Sequence, residues 1–278
     1  MRVVAIIINY NAADESRRCA ELLREQQGVN LEVVIVDNYS EHNNRERLID
    51  YCRDTNTIFV ATSKNRGFNA GCNAGLRYAE SVEGDYALIL TPDMVIRDKN
   101  YVATLVNEMH KSDGVVAAGD IVTPSGVHMN PMPEDAGWMR PFEWIAGKDS
   151  AGCGMDSSKS RYCTKLSRQC FIIDMDFILA QDMFDESVFQ FCVEDILSKQ
   201  VEKAGKKMYY VSTANAVFNN VLNEEYSREC LADIRTSRIY YIRKYSGYNA
   251  LRKAGVILSI AIENFVKLLR LKIKNASS

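Results

Sequence analysis

The sequence predicts an α/β protein: a mostly parallel central sheet flanked by helices, with a helical extension at the C-terminus. Three observations predict it. Apolar runs alternate with amphipathic helical stretches through the first third of the chain, which is the pattern of βαβ units. Four of those runs fall in the first 90 residues, and each ends in polar residues. Ligands of open parallel sheets sit beyond the carboxyl ends of the strands, so these ends describe a binding rim. Finally, apolar residues from Ile257 to Ile273 recur near helical spacing, with lysines and arginines between them.

The first strand is Arg2 to Ile8 and ends at Asn9-Tyr10-Asn11. A helix over about Asp14 to Gln26 turns Cys19, Leu22 and Leu23 inward, and Gly28 marks its stop. Leu31 to Val36 is the second strand, ending at Asp37-Asn38-Tyr39-Ser40. A helix over about Arg45 to Arg53 leads to a third strand, Thr57 to Val60, followed by Ser63 to Gly67. The third helix, from about Asn69 to Glu80, carries Gly71 and Gly75 on one face. Glycine there costs about 1 kcal/mol relative to alanine, so a close neighbour is expected, either the sheet or a ligand. Strand four, Tyr86 to Leu90, ends at Thr91-Pro92-Asp93.

From Pro124 to Arg168 the alternation stops. This stretch holds four of the five prolines and both tryptophans, Trp138 and Trp144, and is too long for a featureless connection in a compact domain. Regular structure resumes with strand Cys170 to Ile173, a helix over about Glu194 to Ala204, and strands Lys207 to Val211 and Ala214 to Phe218.

A length of 278 residues fits one large domain, or one domain with an appendage. With 47% hydrophobic and 25% charged residues the composition is that of a soluble globular protein. No apolar stretch reaches the ~20 residues of a spanning helix, and Met1-Arg2 runs straight into a strand, so no signal peptide is expected. The eight cysteines have no paired spacing, which predicts reduced thiols and a cytoplasmic protein. From Arg235 onward there are ten Lys/Arg against Glu263 alone, leaving 24 bases and 35 acids in the body, a balance of −11. An acidic body argues against nucleic acid as the main partner. The basic tail suits an anionic surface such as the inner face of the plasma membrane, or packing on the body or on a second subunit.

Three acidic positions could carry chemistry. Asp37 could bond a base or ribose, or simply close a turn. Asp93 could hold a divalent cation against a diphosphate, or cap the next segment. Glu194-Asp195 could supply a general base, or serve the first turn of its helix. There is no dinucleotide fingerprint, no Walker A loop and no Gly-x-Ser-x-Gly elbow. The three histidines have no metal or triad spacing.

The order of these features resembles family-2 glycosyltransferases of the GT-A fold, especially the bacterial rhamnosyltransferase-like group. Ile8-Asn9-Tyr10-Asn11 and Val34 to Ser40 look like the family's first two strand-end signatures. Asn65-Arg66-Gly67-Phe68-Asn69 and the glycines after it are similar to its Asn-x-Gly-Phe segment. Leu90-Thr91-Pro92-Asp93 stands where the family has Asp-x-Asp or Asn-Pro-Asp. Phe191 to Asp195, followed by Ala204-Gly205 and Tyr209-Tyr210-Val211, looks like the acceptor-side block.

The resemblance covers roughly residues 1 to 245. It implies a nucleotide-sugar half over 1–123, an acceptor half over 124–245 and a separate tail over 246–278. Asn9, Tyr10, Asn11, Asp37, Asn38, Asn65, Arg66, Gly67, Asn69, Thr91, Pro92 and Asp93 would bind a UDP-, dTDP- or GDP-sugar. Asp93 would hold Mg²⁺ or Mn²⁺. Asp195 would be the catalytic base, with Glu194 supporting it or contacting the acceptor. Trp138 and Trp144 would face a glycan or lipid-linked glycan acceptor, or else pack beneath a loop. Two positions depart from the family pattern: Thr91 replaces the first residue of the metal motif, and Asn219 stands where many members have a metal-binding histidine. Both departures weaken a metal site, which leaves a catalytically degenerate scaffold as the alternative. A nicotinamide oxidoreductase is a second alternative, opposed by the missing glycine fingerprint.

Overall fold

The computed structural model describes residues 1–134, 139–142, 156–220 and 227–276. In chain order the strands are β1 (Arg2–Asn9), β2 (Asn30–Asp37), β3 (Ile58–Ala61), β4 (Tyr86–Leu90), β5 (Met94–Val95), β6 (Val116–Val122), β7 (Arg161–Cys163), β8 (Cys170–Asp174) and β9 (Met208–Phe218). The helices are α1 (Ala13–Arg24), α2 (His42–Thr55), α3 (Phe68–Ser81), α4 (Tyr101–Ser112), α5 (Met175–Ala180), α6 (Val193–Lys203), α7 (Arg228–Lys244) and α8 (Ala250–Ala276).

The strands form one sheet in the order β3-β2-β1-β4-β8-β6-β9-β5, with β7 on β9. The first four are parallel. Strand β8 runs antiparallel between β4 and β6, and β6 and β9 are again parallel. The parallel run is therefore confined to the first half of the sheet, and the second half is mixed. The two segments expected over Lys207 to Val211 and Ala214 to Phe218 are one strand, β9, whose register against β6 shifts between Gly119 and Asp120.

The unbroken apolar run in β1 reflects burial on both faces. Val3, Ala5 and Ile7 pack with α1, α2 and α4. Val4, Ile6 and Ile8 pack on the other side with α3, α5 and α6. Here the small-residue face of α3 finds its neighbour: a Cβ on Gly75 would lie 2.3 Å from Ile6 Cγ2. The sheet, through β1, accounts for that glycine.

A third cluster lies away from the sheet. Val193 and Ile196 of α6 pack with Tyr241 and Ile242 of α7 and with Val256 and Ile260 of α8. Helices α7 and α8 are separated at Ser246-Gly247, and α8, the helix of the 246–278 segment, packs on the body through Val256 and Ile260. Among the described residues no helix is long and apolar enough to cross a membrane.

Candidate active site

The polar residues that end β1 and β2 are tightly bonded to one another. Asn9, at the end of β1, is fully buried and joins three elements. Its Nδ2 donates to Asp37 Oδ1 and Ser40 Oγ, both at 2.9 Å. Its Oδ1 accepts from Ala12 N at 3.1 Å and Ser16 Oγ at 3.0 Å. Asp37, at the end of β2, is 0% exposed. Its Oδ2 accepts from Arg45 Nε at 2.7 Å and from Ser40 N at 3.3 Å. In this arrangement the carboxylate faces Asn9, Ser40 and Arg45, which satisfies the demand of a buried charge for paired, hydrogen-bonded surroundings.

Above it the aromatic rings are open. Tyr10 is 53% and Tyr39 52% exposed. Asn11 and Tyr39 both have left-handed backbones, with φ of 55° and 68°. Asn11 Oδ1 accepts from Glu41 N at 2.8 Å, which ties the first strand end to α2. The Arg45 guanidinium lies over the Tyr39 ring, 5.6 Å from its centroid.

The third strand end adds a layer. Asn38 Nδ2 donates to Gly67 O at 3.0 Å and Asn65 Oδ1 at 3.2 Å, and Gly67 N donates to Asn65 Oδ1 at 2.9 Å. Gly67 has φ +95°, and a Cβ there would lie 2.1 Å from Phe189 O. The same carbonyl accepts from Phe68 N at 2.8 Å, so the start of α3 is capped by the chain leading into α6. Asn69 Nδ2 donates to Asp185 O at 2.7 Å. Its buried Oδ1 has no hydrogen-bond partner among the described residues. Arg66 pairs with Glu186 at 3.0 Å.

Asp93 sits where β4 gives way to β5. Its backbone carbonyl accepts from Asn219 N at 2.9 Å, and its Oδ2 accepts from Asn220 Nδ2 at 3.1 Å. Asp93, Pro92, Asn11, Asn219 and Asn220 line one cavity of about 740 Å³. Four of those residues were expected from the sequence and come from three separate strand ends; Asn220 is new. The Asn220 amide turns its nitrogen to Asp93, and Glu15 and Glu21 of α1 line the same cavity with Glu25, the residue after that helix. At the strand ends the donor set is the Asp93 carboxylate with the amide of Asn219, and no group of three or more His, Cys, Asp or Glu able to hold a metal occurs among the described residues. Such a set fits a Mg²⁺ or Mn²⁺ ion whose shell is completed by diphosphate oxygens and water.

The acid pair on α6 is divided. Asp195 Oδ1 accepts from Lys165 Nζ at 2.9 Å, in an ion pair whose side chains are 11% and 5% exposed. It opens on a second cavity, of about 600 Å³, with Lys165, Tyr162, Tyr241 and Lys206. Burial, reinforced by the Asp195 charge, pushes the neighbouring Cys192 thiol well above its ordinary range. Glu194 faces Arg168 at 3.8 Å. Arg168 stacks over Phe68 at 5.6 Å, and its neighbour Gln169 bonds Thr91 through both backbone and side chain. Glu194 is therefore linked toward the Asp93 rim, whereas Asp195 lines the other cavity.

Trp138 and Trp144 lie outside the described residues. Sequence reasoning missed Arg45, Lys165, Arg168 and Gln169. Arg45 stands eight residues after Asp37, in the first turn of α2, where it can reach back. The other three lie in or beside the irregular segment, where no periodicity marks a residue.

The profile of the family described as "Glycosyl transferase family 2" matches residues 4–157, more than half of the chain. The chain belongs to glycosyl transferase family 2. The matched region holds Asp37 and Asp93, while Glu194, Asp195 and Asn219 lie beyond it. Glycosyltransferase GlyG of Streptococcus pneumoniae serotype 4 is 25% identical over 119 residues, 42% of this chain. The chain spans 38% of the length of that curated relative. Among solved structures, the mannosyltransferase PcManGT from Pyrobaculum calidifontis in complex with GDP-Man and Mn²⁺ superposes with a TM-score of 0.61. It is 15% identical over 99% of this chain and 74% of its own. GalNAc-T7 with UDP, GalNAc and Mn²⁺ gives a TM-score of 0.65 at 14% identity, over 91% of this chain and 53% of its own. S. aureus TarS 1-349 gives 0.57 at 17% identity, over 94% and 71%. These likenesses place the chain in the GT-A fold of the family's enzymes.

Proposed function

We propose that the protein is an inverting glycosyltransferase. It moves a hexose or rhamnose-like sugar from a nucleoside-diphosphate sugar to a glycan or lipid-linked glycan used in surface polysaccharide synthesis. The observation that carries this reading is the convergence of Asn11, Asp93 and Asn219 on one cavity at the carboxyl ends of the sheet, in a chain of this family. The exposed Tyr10 ring suits the donor's base, and Asp37 acts on that pocket through Asn9 and Arg45.

Asp93, with the amide oxygen of Asn219, would hold a Mg²⁺ or Mn²⁺ ion. When bound, that ion supplies Lewis-acid stabilisation of the leaving diphosphate. Inversion requires attack from the face opposite the leaving group. The acceptor hydroxyl gives its proton to the acid pair of α6. For Asp195, paired with Lys165 on the second cavity, this requires its carboxylate to turn toward the Asp93 rim, to which Glu194 is already linked through Arg168. The hydroxyl oxygen bonds the anomeric carbon. The bond from that carbon to the β-phosphate oxygen breaks, and its electron pair leaves with the nucleoside diphosphate.

Thermal unfolding with UDP, dTDP, GDP and their sugar conjugates, with and without Mg²⁺ or Mn²⁺, tests the donor side. A ligand at one hundred times its dissociation constant should stabilise the fold by ~2.7 kcal/mol. The shift should grow with metal and shrink in Asp93→Ala. The degenerate-scaffold reading has one observation in its favour: both key carboxylates already have protein partners, Lys165 and Asn220. A nucleotide-induced shift without any donor hydrolysis or transfer would decide for the scaffold. No shift with any nucleotide would remove the transferase reading in its donor-binding form.

A further inference from the structure

Helix α8 spans 27 residues, and only part of it is used by the body. Val256, Ser259, Ile260 and Glu263 are buried against the rest of the chain. Leu251, Leu258, Ile262, Phe265 and Leu269 are exposed, Leu251 at 85% and Phe265 at 61%. At about 100° per residue these five fall within an arc of about 60° and run ~27 Å along the helix. Five large apolar side chains in one uninterrupted stripe exceed the scattered exposed leucines normal for a protein surface.

The charges around the stripe have one sign. Arg252 and Arg270 border it on one side and Lys272 on the other, and all three are exposed. Glu263 is the single acid of the helix. It is buried and held by Arg238 at 2.9 Å and Lys267 at 2.6 Å. Pairing this stripe with the same stripe of a second copy would bring cations against cations, with the helix's one acid, Glu263, buried and already paired. An anionic lipid surface complements both the apolar stripe and its cationic borders.

We propose that α8 lies in the plane of an anionic membrane, with Leu251, Leu258, Ile262, Phe265 and Leu269 in the acyl boundary and Arg252, Arg270 and Lys272 at the headgroups. The face bearing Val256 and Ile260 stays on the body. The proposal needs no nucleotide sugar and no turnover, so it stands or falls apart from the transferase reading.

Co-sedimentation of the full chain tests it, using vesicles of phosphatidylcholine alone or mixed with phosphatidylglycerol. The chain is expected to sediment with the mixed vesicles, weakly with the neutral ones, and less as salt is raised. A Leu258→Ser/Phe265→Ser variant should partition at least about tenfold less, given the apolar area withdrawn. Arg270→Glu/Lys272→Glu should lose the preference for anionic vesicles while keeping the apolar stripe. All four side chains are solvent-facing, so far-UV circular dichroism and melting temperature should match the parent. Failure to bind the mixed vesicles, or equal binding to both compositions, would overturn the proposal. So would a dimer that Leu258→Ser/Phe265→Ser breaks apart, which would show a second copy on the stripe.

Discussion

The strand-end rim and the α6 region both bury carboxylates, but they hold them by different means. At the rim, Asp37 is surrounded by short polar groups, Asn9 and Ser40, with Arg45 as the countercharge. Each of these groups also bonds another element or lies within ten residues of the carboxylate, so the network fixes the geometry of three strand ends. At α6, Asp195 and Glu194 depend on long cationic side chains, Lys165 and Arg168, that arrive from about thirty residues away. The rim is thus a preorganised cradle in which strand geometry does the positioning. The α6 region is built from ion pairs across irregular chain, and such pairs are costly to break. A substrate that must be held still suits the first arrangement, and a proton that must be received suits the second.

The sharpest test of this contrast lies on α6 itself. If Asp195 is the base, Asp195→Asn should lower kcat by about 10²–10⁴. The asparagine keeps an oxygen for Lys165 but leaves that buried ammonium without its counter-charge, so stability should also fall, by about 3–5 kcal/mol, and the rates are compared at a temperature where the variant stays folded. Glu194→Gln should retain most of the turnover. Single-turnover transfer assays on both variants decide between the two acids; the reverse pattern would give the role to Glu194, which is linked through Arg168 and Gln169 to Thr91 on the Asp93 rim. The next effect in size is structural. Lys165→Met leaves the Asp195 carboxylate buried without its cation, and should cost about 3–5 kcal/mol in urea unfolding. The double variant with Asp195→Asn should recover much of it, and a simple sum of the two single effects would show that the pair is not coupled.

The two regions also differ in how far the sequence revealed them. β1, β2 and β4 are apolar runs with polar ends, and the strand ends place Asn9, Asp37 and Asp93 on one rim because parallel strands present their carboxyl ends together. The small face of α3 was equally legible, since Gly71 and Gly75 at four-residue spacing require a close neighbour, and Ile6 and Ile8 supply it. Lys165 and Arg168 were not legible. They lie in extended or irregular chain, where the contact depends on the path of the backbone and leaves no period in the sequence. The mixed half of the sheet was hidden for a related reason. β8 enters between β4 and β6 from a distant point in the chain, and local pattern says nothing about which strand a run will join. The same holds for α8: its period announced a helix, but the division into a packed face and an open stripe needed the position of α7.

Gly67 is where the two regions touch, and it offers a smaller effect with a defined origin. Its left-handed φ and the Phe189 carbonyl 2.1 Å from a would-be Cβ both act against Gly67→Ala. The substitution should cost roughly 3 kcal/mol. Because Phe189 leads into α6, the damage should reach past the strand-end rim: nucleotide-induced stabilisation and the protection of α6 amides from exchange should fall together. A loss confined to nucleotide binding would separate the two regions and break the comparison at its contact point.

Asp185 supplies the smallest effect and a pH signature. Its Oδ2 accepts from Tyr240, Lys244 and Tyr245, at 2.7, 2.8 and 2.6 Å, which fastens α7 to the loop before α6. Burial acts to raise this carboxyl, but the bonds from Lys244, Tyr240 and Tyr245 outweigh it and hold it well below the usual carboxylate range. An unfolded aspartate titrates near 3.9. The stabilisation is therefore fully present above about pH 4–5, and is lost as pH falls, since the unfolded chain takes up a proton that the folded chain refuses. Asp185→Asn should cost about 2 kcal/mol at neutral pH, the scale of hydrogen bonds to a charged group. The gap between parent and variant should stay flat from about pH 8 to pH 5 and narrow below about pH 4. Urea midpoints across that range measure it directly. A gap that widened on acidification would mean that Asp185 takes up a proton more readily when folded, and that α7 is held by its apolar cluster with Tyr241 and Ile242 rather than by this carboxylate.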